Sequence, residues 1–186
     1  MKFPQVRIIH ISDIHFGADH ICRHDERTAA DAGIPKLWEL IASDLQSEDW
    51  DKYVWAKPLT EKENSPLLLV LSGDLTHTAH AEEFRSAIAF VKGLLSKSLL
   101  GREIPLTHVF IVPGNHDVVF TNQNPADRFP SYCTFINELF RSAYRSSRPC
   151  AYPDQADTLN RIHTFSDEKI VGGRDKLQLL CGKRNS

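Results

Sequence analysis

Three short, mainly apolar runs alternate with longer mixed segments in the first two thirds of the chain. They cover residues 6–12, 67–71 and 109–112, and each ends in a turn that contains glycine, proline or polar residues. Short apolar runs with such boundaries are typical of strands that are buried on both faces, as in a parallel sheet covered by helices. Ligands of such sheets bind beyond the carboxyl ends of the strands. We therefore expect the functional residues in the three turns.

Apolar residues at helical spacing form three stripes, which lie before the second run, before the third run and after it. The stripes are Leu37, Leu40, Ile41 and Leu45; Phe84, Ile88, Val91 and Leu95; and Tyr132, Phe135, Ile136, Leu139, Phe140 and Ala143. Each stripe predicts an amphipathic helix, and Gly101 is the expected end of the second one. The order βαβαβ predicts an α/β fold with a parallel sheet.

The length of 186 residues suits one domain with a sizeable core, and we expect residues 1–186 to form a single domain. Residues 47–66 are expected to be an insertion, because aromatic residues are scattered there among charges and prolines. Residues 16–33 are expected to form a loop over the mouth of the site. The segment 121–160 is a candidate cap, and residues 172–186 are an atypical tail.

The turns after the three runs carry carboxylates, imidazoles and one amide. These residues are Asp13 and His15 after the first run, Asp74 after the second, and Asn115, His116 and Asp117 after the third. Taken singly, each could be an ordinary turn residue or a surface histidine. Three polar turns, each after an apolar strand, are a much stronger indication of a site.

The blocks Asp-x-His, Gly-Asp and Gly-Asn-His-Asp, in this order, resemble the first three signature blocks of the calcineurin-like metallophosphoesterase superfamily. The resemblance covers residues 8–118. It implies a β-sandwich flanked by helices, of which the βαβαβ order is the beginning. It also implies a metal-dependent phosphoester hydrolase, either a phosphomonoesterase or a phosphodiesterase.

The resemblance also implies which residues bind metal. Asp13 and His15 match ligands of a first metal ion, Asp74 matches the carboxylate that bridges two ions, and Asn115 matches a ligand of the second. Two neighbouring ions can acidify a water molecule and clamp the phosphoryl group. Oxygen and imidazole ligands without thiolates suit Mn²⁺, our first expectation, with Fe, Zn or Mg as alternatives.

The third block supplies the expected catalytic residues. His116 matches the family histidine that approaches the leaving oxygen without binding metal, and an imidazolium there can act as a general acid. Asp117 is expected to orient or charge His116.

The chain departs from the family pattern in its last third. Complete members carry a Gly-His-x-His block, which is missing here, and only His163 follows His116. We therefore expect a C-terminally truncated or frameshifted derivative with weak or absent hydrolysis and a tendency to self-associate. The alternative functions are a non-catalytic remnant, or an assembly domain that binds at most one metal ion.

The formal net charge of the chain indicates which classes of substrate and binding partner to expect. The formal net charge is −2, which gives no broad basic field for nucleic acid and leaves a local basic patch as the one route to binding it. A phosphorylated small molecule or nucleotide is therefore the expected substrate. No apolar run approaches the length of a membrane span, and a cytoplasmic location without membrane contact is expected.

Overall fold

A computed structural model describes residues 6–17, 20, 35–46, 66–119, 125–141, 162–164 and 178–180. The main sheet contains β1 (Arg7–Ile11), β2 (Leu67–Ser72) and β3 (Val109–Val112), in that order and all parallel. Helix α1 (Leu37–Leu45) lies between β1 and β2 in the chain, and α2 (Ala81–Leu95) lies between β2 and β3. The predicted βαβαβ order and the α/β fold class are confirmed.

Three further elements follow the main sheet in the chain. Helix α3 spans Pro130–Phe140, and the strands β4 (Ile162–Thr164) and β5 (Gln178–Leu180) pair antiparallel, with His163 opposite Leu179. Strand β5 falls in the predicted tail, whose other residues lie outside the described part. Residues 18–19 and 21–33 of the predicted loop, 47–65 of the predicted insertion, and 121–124 and 142–160 of the predicted cap also lie outside it. Among the described residues, no helix has both the length and the apolar character that a membrane span requires.

The core lies between one face of the sheet and the helices. Alternate residues of β2 point into it, namely Leu67, Leu69 and Leu71, all at most 3% exposed. Helices α2 and α3 contribute buried residues at the predicted spacing: Phe84, Ala87, Ile88, Phe90, Val91, Leu94, Tyr132, Phe135, Ile136, Leu139 and Phe140. The described part of the candidate cap segment therefore contributes α3 to the core layer.

Two details of the predicted helices are wrong. Leu40, expected in the apolar stripe of α1, is 44% exposed, whereas Trp38 packs beside Gly93 of α2. The helix α2 ends at Leu95 and not at Gly101, which has a φ of +79° and closes a later turn. Glycine suits that position because it adopts positive φ without steric cost.

The register of the sheet brings the three turns to one edge. Ile11 lies opposite Leu71, and Ser72 lies opposite Val112, so the strands end at nearly the same level. The first two turns continue the pairing, because the amides of His15 and Phe16 donate to the carbonyls of Asp74 and Leu75 at 2.9 and 2.8 Å. Phe16 is fully buried, which corrects the expectation that it begins the loop over the site.

Candidate metal centre

Three of the predicted metal ligands converge at the carboxyl edge of the sheet. Asp13, His15 and Asp74 each offer a ligand atom, and these atoms all lie within 4.8 Å of one another. Asp13 is exposed, while His15 and Asp74 are half-buried. Two carboxylates and one imidazole form a donor set that suits divalent cations such as Mn²⁺, Fe²⁺ or Zn²⁺.

The backbone at these ligands is left-handed, although none of them is glycine. The φ angles are +58° at Asp13, +55° at His15 and +52° at Asp74. An L-residue in this region carries a penalty of about 1–2 kcal/mol, although Asp and His tolerate it better than most residues. Such strain persists where the surrounding structure imposes it, and it is concentrated at functional sites.

Two glycines allow the second and third turns to touch. Gly73 has a φ of +90°, and a Cβ atom there would lie 2.8 Å from the Cα atom of Gly114. A Cβ atom on Gly114 would overlap both the amide nitrogen and the carboxylate of Asp74. Any side chain at either glycine would therefore push the turns apart and displace Asp74.

His15 carries a polar atom that needs a partner. Its Nδ1 atom is buried, and it has no hydrogen-bond partner among the described residues. A buried nitrogen without a partner is unfavourable by about 1–3 kcal/mol. The carboxylates of Asp13 and Asp74 lie beside this imidazole, and the donor types of the three side chains therefore fit a metal ion.

The match to known proteins agrees with this chemistry. A sequence model of the calcineurin-like phosphoesterases matches residues 6–181. The chain belongs to the calcineurin-like phosphoesterase family. Metal-dependent phosphoester hydrolysis is the activity that membership implies. A comparison with curated proteins gives no match.

Asn115 is expected to bind a second metal ion, because it matches a ligand in the third signature block of the phosphoesterases. It lies in the turn after β3. It is exposed and directly follows Gly114, the glycine that abuts Asp74. The structure therefore places Asn115 at the same edge of the sheet as the three converging ligands.

His116 is held by both neighbouring turns. Its backbone amide donates to Oδ1 of Asp74 at 2.9 Å, and its Nδ1 atom lies 2.7 Å from the carbonyl oxygen of His77. A carbonyl oxygen only accepts, so Nδ1 carries the proton in this bond. The second ring nitrogen, Nε2, is thereby left for other chemistry.

The carboxylate of Asp117 bonds to the backbone of two neighbouring turns. Its carboxylate is fully buried and accepts hydrogen bonds from the backbone amides of Leu75, Thr76 and Gly114, at 3.2, 2.8 and 2.9 Å. The hydroxyl of Thr76 also lies 2.9 Å from this carboxylate and 3.0 Å from the carbonyl oxygen of His116. Asp117 thus fixes the second turn against the third, whereas the ring of His116 is oriented by His77.

His77 is a further site residue, which the sequence offered only as one of three histidines, with His80 and His163, that could replace the missing histidine ligands. Its exposed ring stacks on that of His116, with the ring centroids 5.7 Å apart. The signal in the sequence is its position three residues after Asp74, in the turn that follows β2. The position of His77 in the sequence does not indicate that it lies beside His116, because this depends on the contact between the turns after β2 and β3.

Proposed function

We propose that this chain is a phosphoester hydrolase, whose turnover is weak because the Gly-His-x-His block is missing, and that its centre is the edge of the sheet where Asp13, His15 and Asp74 converge. The observation that carries the proposal is the convergence of ligand atoms from Asp13, His15 and Asp74 within 4.8 Å, at an imidazole whose buried Nδ1 atom has no hydrogen-bond partner among the described residues. Asp13, His15 and Asp74 would hold one divalent ion, with Mn²⁺ as the first choice. Asn115 would serve a second ion from the adjoining turn.

Asp13, His15 and Asp74 would hold a divalent ion, which when bound would supply positive charge for the phosphoryl oxygens and would make an attacking water molecule more acidic. The chain itself contributes a proton carrier. The Nδ1–H group of His116 donates a hydrogen bond to the carbonyl oxygen of His77. The Nε2 atom of the protonated ring would therefore transfer its proton to the leaving oxygen as the P–O bond breaks. Asp117 acts as a positioning residue, because it holds the amides of both turns.

The substrate class follows from family membership and charge. A phosphorylated small molecule or nucleotide suits a chain with a formal net charge of −2, whose surface has no general attraction for long nucleic acid. Monoesters and diesters are both compatible with the donor set. The two are separated by assaying an aryl phosphate beside a bis-aryl phosphate.

The experiment combines Mn²⁺ calorimetry with turnover of both aryl esters. Asp74→Ala should weaken Mn²⁺ binding at least tenfold and remove turnover, whereas Asp44→Ala, an exposed carboxylate on α1, should change neither. His116→Ala should reduce turnover by about 100-fold and leave the affinity for Mn²⁺ unchanged, because its side chain serves the leaving oxygen. Unchanged Mn²⁺ affinity in Asp74→Ala would refute the assignment.

A further inference from the structure

Three imidazoles form a second cluster beside the proposed phosphoesterase centre. His15, His77 and His116 each offer a nitrogen, and these nitrogens lie within 4.8 Å of one another. The ring centroids of His15 and His116 are 4.7 Å apart with the rings nearly perpendicular, and those of His15 and His77 are 6.1 Å apart. The cluster shares only His15 with the set Asp13, His15 and Asp74.

We propose that His15, His77 and His116 form a second cation site, which shares His15 with the carboxylate set and prefers Cu²⁺ or Zn²⁺ to Mn²⁺. Imidazole donors favour Cu²⁺ and Zn²⁺, whereas carboxylate-rich donor sets favour Mn²⁺ and Mg²⁺. Three histidines with an open fourth position are an established arrangement for zinc. The neighbouring carboxylate set differs in charge and in donor type, so the two sites select different ions.

The hydrogen bond between His116 and His77 supports this assignment independently of the clustering. A histidine that binds a metal ion through one nitrogen commonly donates its other N–H to a backbone carbonyl or carboxylate, which fixes the tautomer. His116 makes such a bond through Nδ1 to the carbonyl of His77 at 2.7 Å. Nε2 therefore carries the lone pair in the neutral ring and is the nitrogen available to an ion.

Access and burial agree with a site that fills from solvent. His77 is exposed, so its ring is open to solvent, whereas His15 is half-buried and has one nitrogen, Nδ1, without a hydrogen-bond partner among the described residues. An ion bound by the three histidines occupies Nε2 of His116. In the proposed hydrolysis, the same nitrogen transfers a proton to the leaving oxygen. This last consequence rests on the proposed function, whereas ion binding itself does not.

The test compares two ions on the metal-free chain of 186 residues. Cu²⁺ electron paramagnetic resonance reports how many nitrogens bind the ion, and Mn²⁺ titration reports the carboxylate site. We expect three coupled nitrogens for Cu²⁺ in the unaltered chain. In His77→Ala we expect two, with at least tenfold weaker Cu²⁺ binding and unchanged Mn²⁺ affinity. The exposed side chain of His77 makes loss of folding unexpected, and the carbonyl that holds His116 remains.

Two control variants make the result specific. Asp13→Asn should weaken Mn²⁺ binding and leave the Cu²⁺ spectrum intact. His80→Ala, which removes another exposed histidine from the same segment, should change neither. The inference is overturned if His77→Ala leaves the nitrogen count unchanged, or if His80→Ala lowers it equally. If Asp13→Asn leaves the Mn²⁺ affinity unchanged, the proposed hydrolytic centre is contradicted instead. Failure of the three-histidine site and failure of the hydrolytic centre are therefore distinguishable.

Discussion

The layer formed by α2 and α3 and the edge of the sheet that carries the metal ligands are held in different ways. In the layer, Phe84 and Phe135 stack with their ring centroids 5.2 Å apart, and Phe135 is 1% exposed. At the edge, Asp117 binds backbone amides, and Asp13 adopts a left-handed conformation. Burial of apolar surface is non-directional, whereas the edge depends on individual bonds and close approaches. Burial of apolar surface in the layer therefore offsets the free-energy cost of the strained backbone at the edge.

The largest effect is expected in the layer. Phe135→Ala removes a buried ring from between α2 and α3, and we expect the free energy of unfolding to fall by about 4 kcal/mol. The affinity of the folded chain for Mn²⁺ should change less than twofold, because Phe135 lies in α3 and not in the three turns that carry the ligands. Urea denaturation and calorimetry measure the two quantities. Glu138→Ala, at an exposed position of the same helix, should change stability by less than about 0.5 kcal/mol. A matching loss of Mn²⁺ affinity in Phe135→Ala would mean that the two regions are not separable.

Gly114→Ala is the corresponding change at the edge. The added methyl group would overlap Asp74, so we expect a loss of about 3 kcal/mol in stability together with at least tenfold weaker Mn²⁺ binding. The control is Gly17→Ala, whose Cβ atom would lie 3.0 Å from the Cβ atom of His77. Its expected loss of stability is smaller, below about 1.5 kcal/mol. Equal effects in both variants would show that the contact between Gly114 and Asp74 is not decisive.

Thr76→Val tests the bond network of Asp117 without changing the shape of the side chain. The buried hydroxyl of Thr76 bonds to Asp117 and lies beside the carbonyl of His116, so its removal should destabilise the chain by about 1–2 kcal/mol. Thermal denaturation measures this loss. Thr134→Val removes an exposed hydroxyl that bonds within α3, and it should change stability by less than about 0.5 kcal/mol. If both variants have the same stability, the network does not hold the turns.

The smallest effect is expected at Asp13, where stability and function should change in opposite directions. Its carboxylate lies within 4.8 Å of that of Asp74, and like charges at this distance repel. In the metal-free chain, Asp13→Asn should therefore raise the free energy of unfolding by about 0.5 kcal/mol, since Asn also tolerates positive φ. Denaturation in the presence of a chelator measures this gain, and Asp44→Asn on α1 is the control. A loss of stability in Asp13→Asn would show that this carboxylate makes a favourable contact at the edge.

The strands and helices could be predicted from local sequence patterns, because each has a characteristic spacing of apolar residues. The spacing of Phe84, Ile88 and Val91 is confirmed by their burial in α2. Leu40 shows where the pattern fails, because the side of α1 that is covered depends on how α1 packs against α2, and Trp38 lies beside Gly93 there. Periodicity identifies a face, but the neighbouring helix decides how wide the buried face is.

The sequence by itself determined the three strands, their parallel order and the turns that carry Asp13, His15, Asp74 and the Gly-Asn-His-Asp block, because apolar runs and turn residues act over a few neighbouring positions. Tertiary structure decided which side chains these residues meet. Asp117 bonds to Thr76, 41 positions away, and His116 bonds to the carbonyl of His77, 39 positions away. These partners exist only because the sheet register sets the three turns side by side and two glycines allow the turns to touch, which no local pattern encodes.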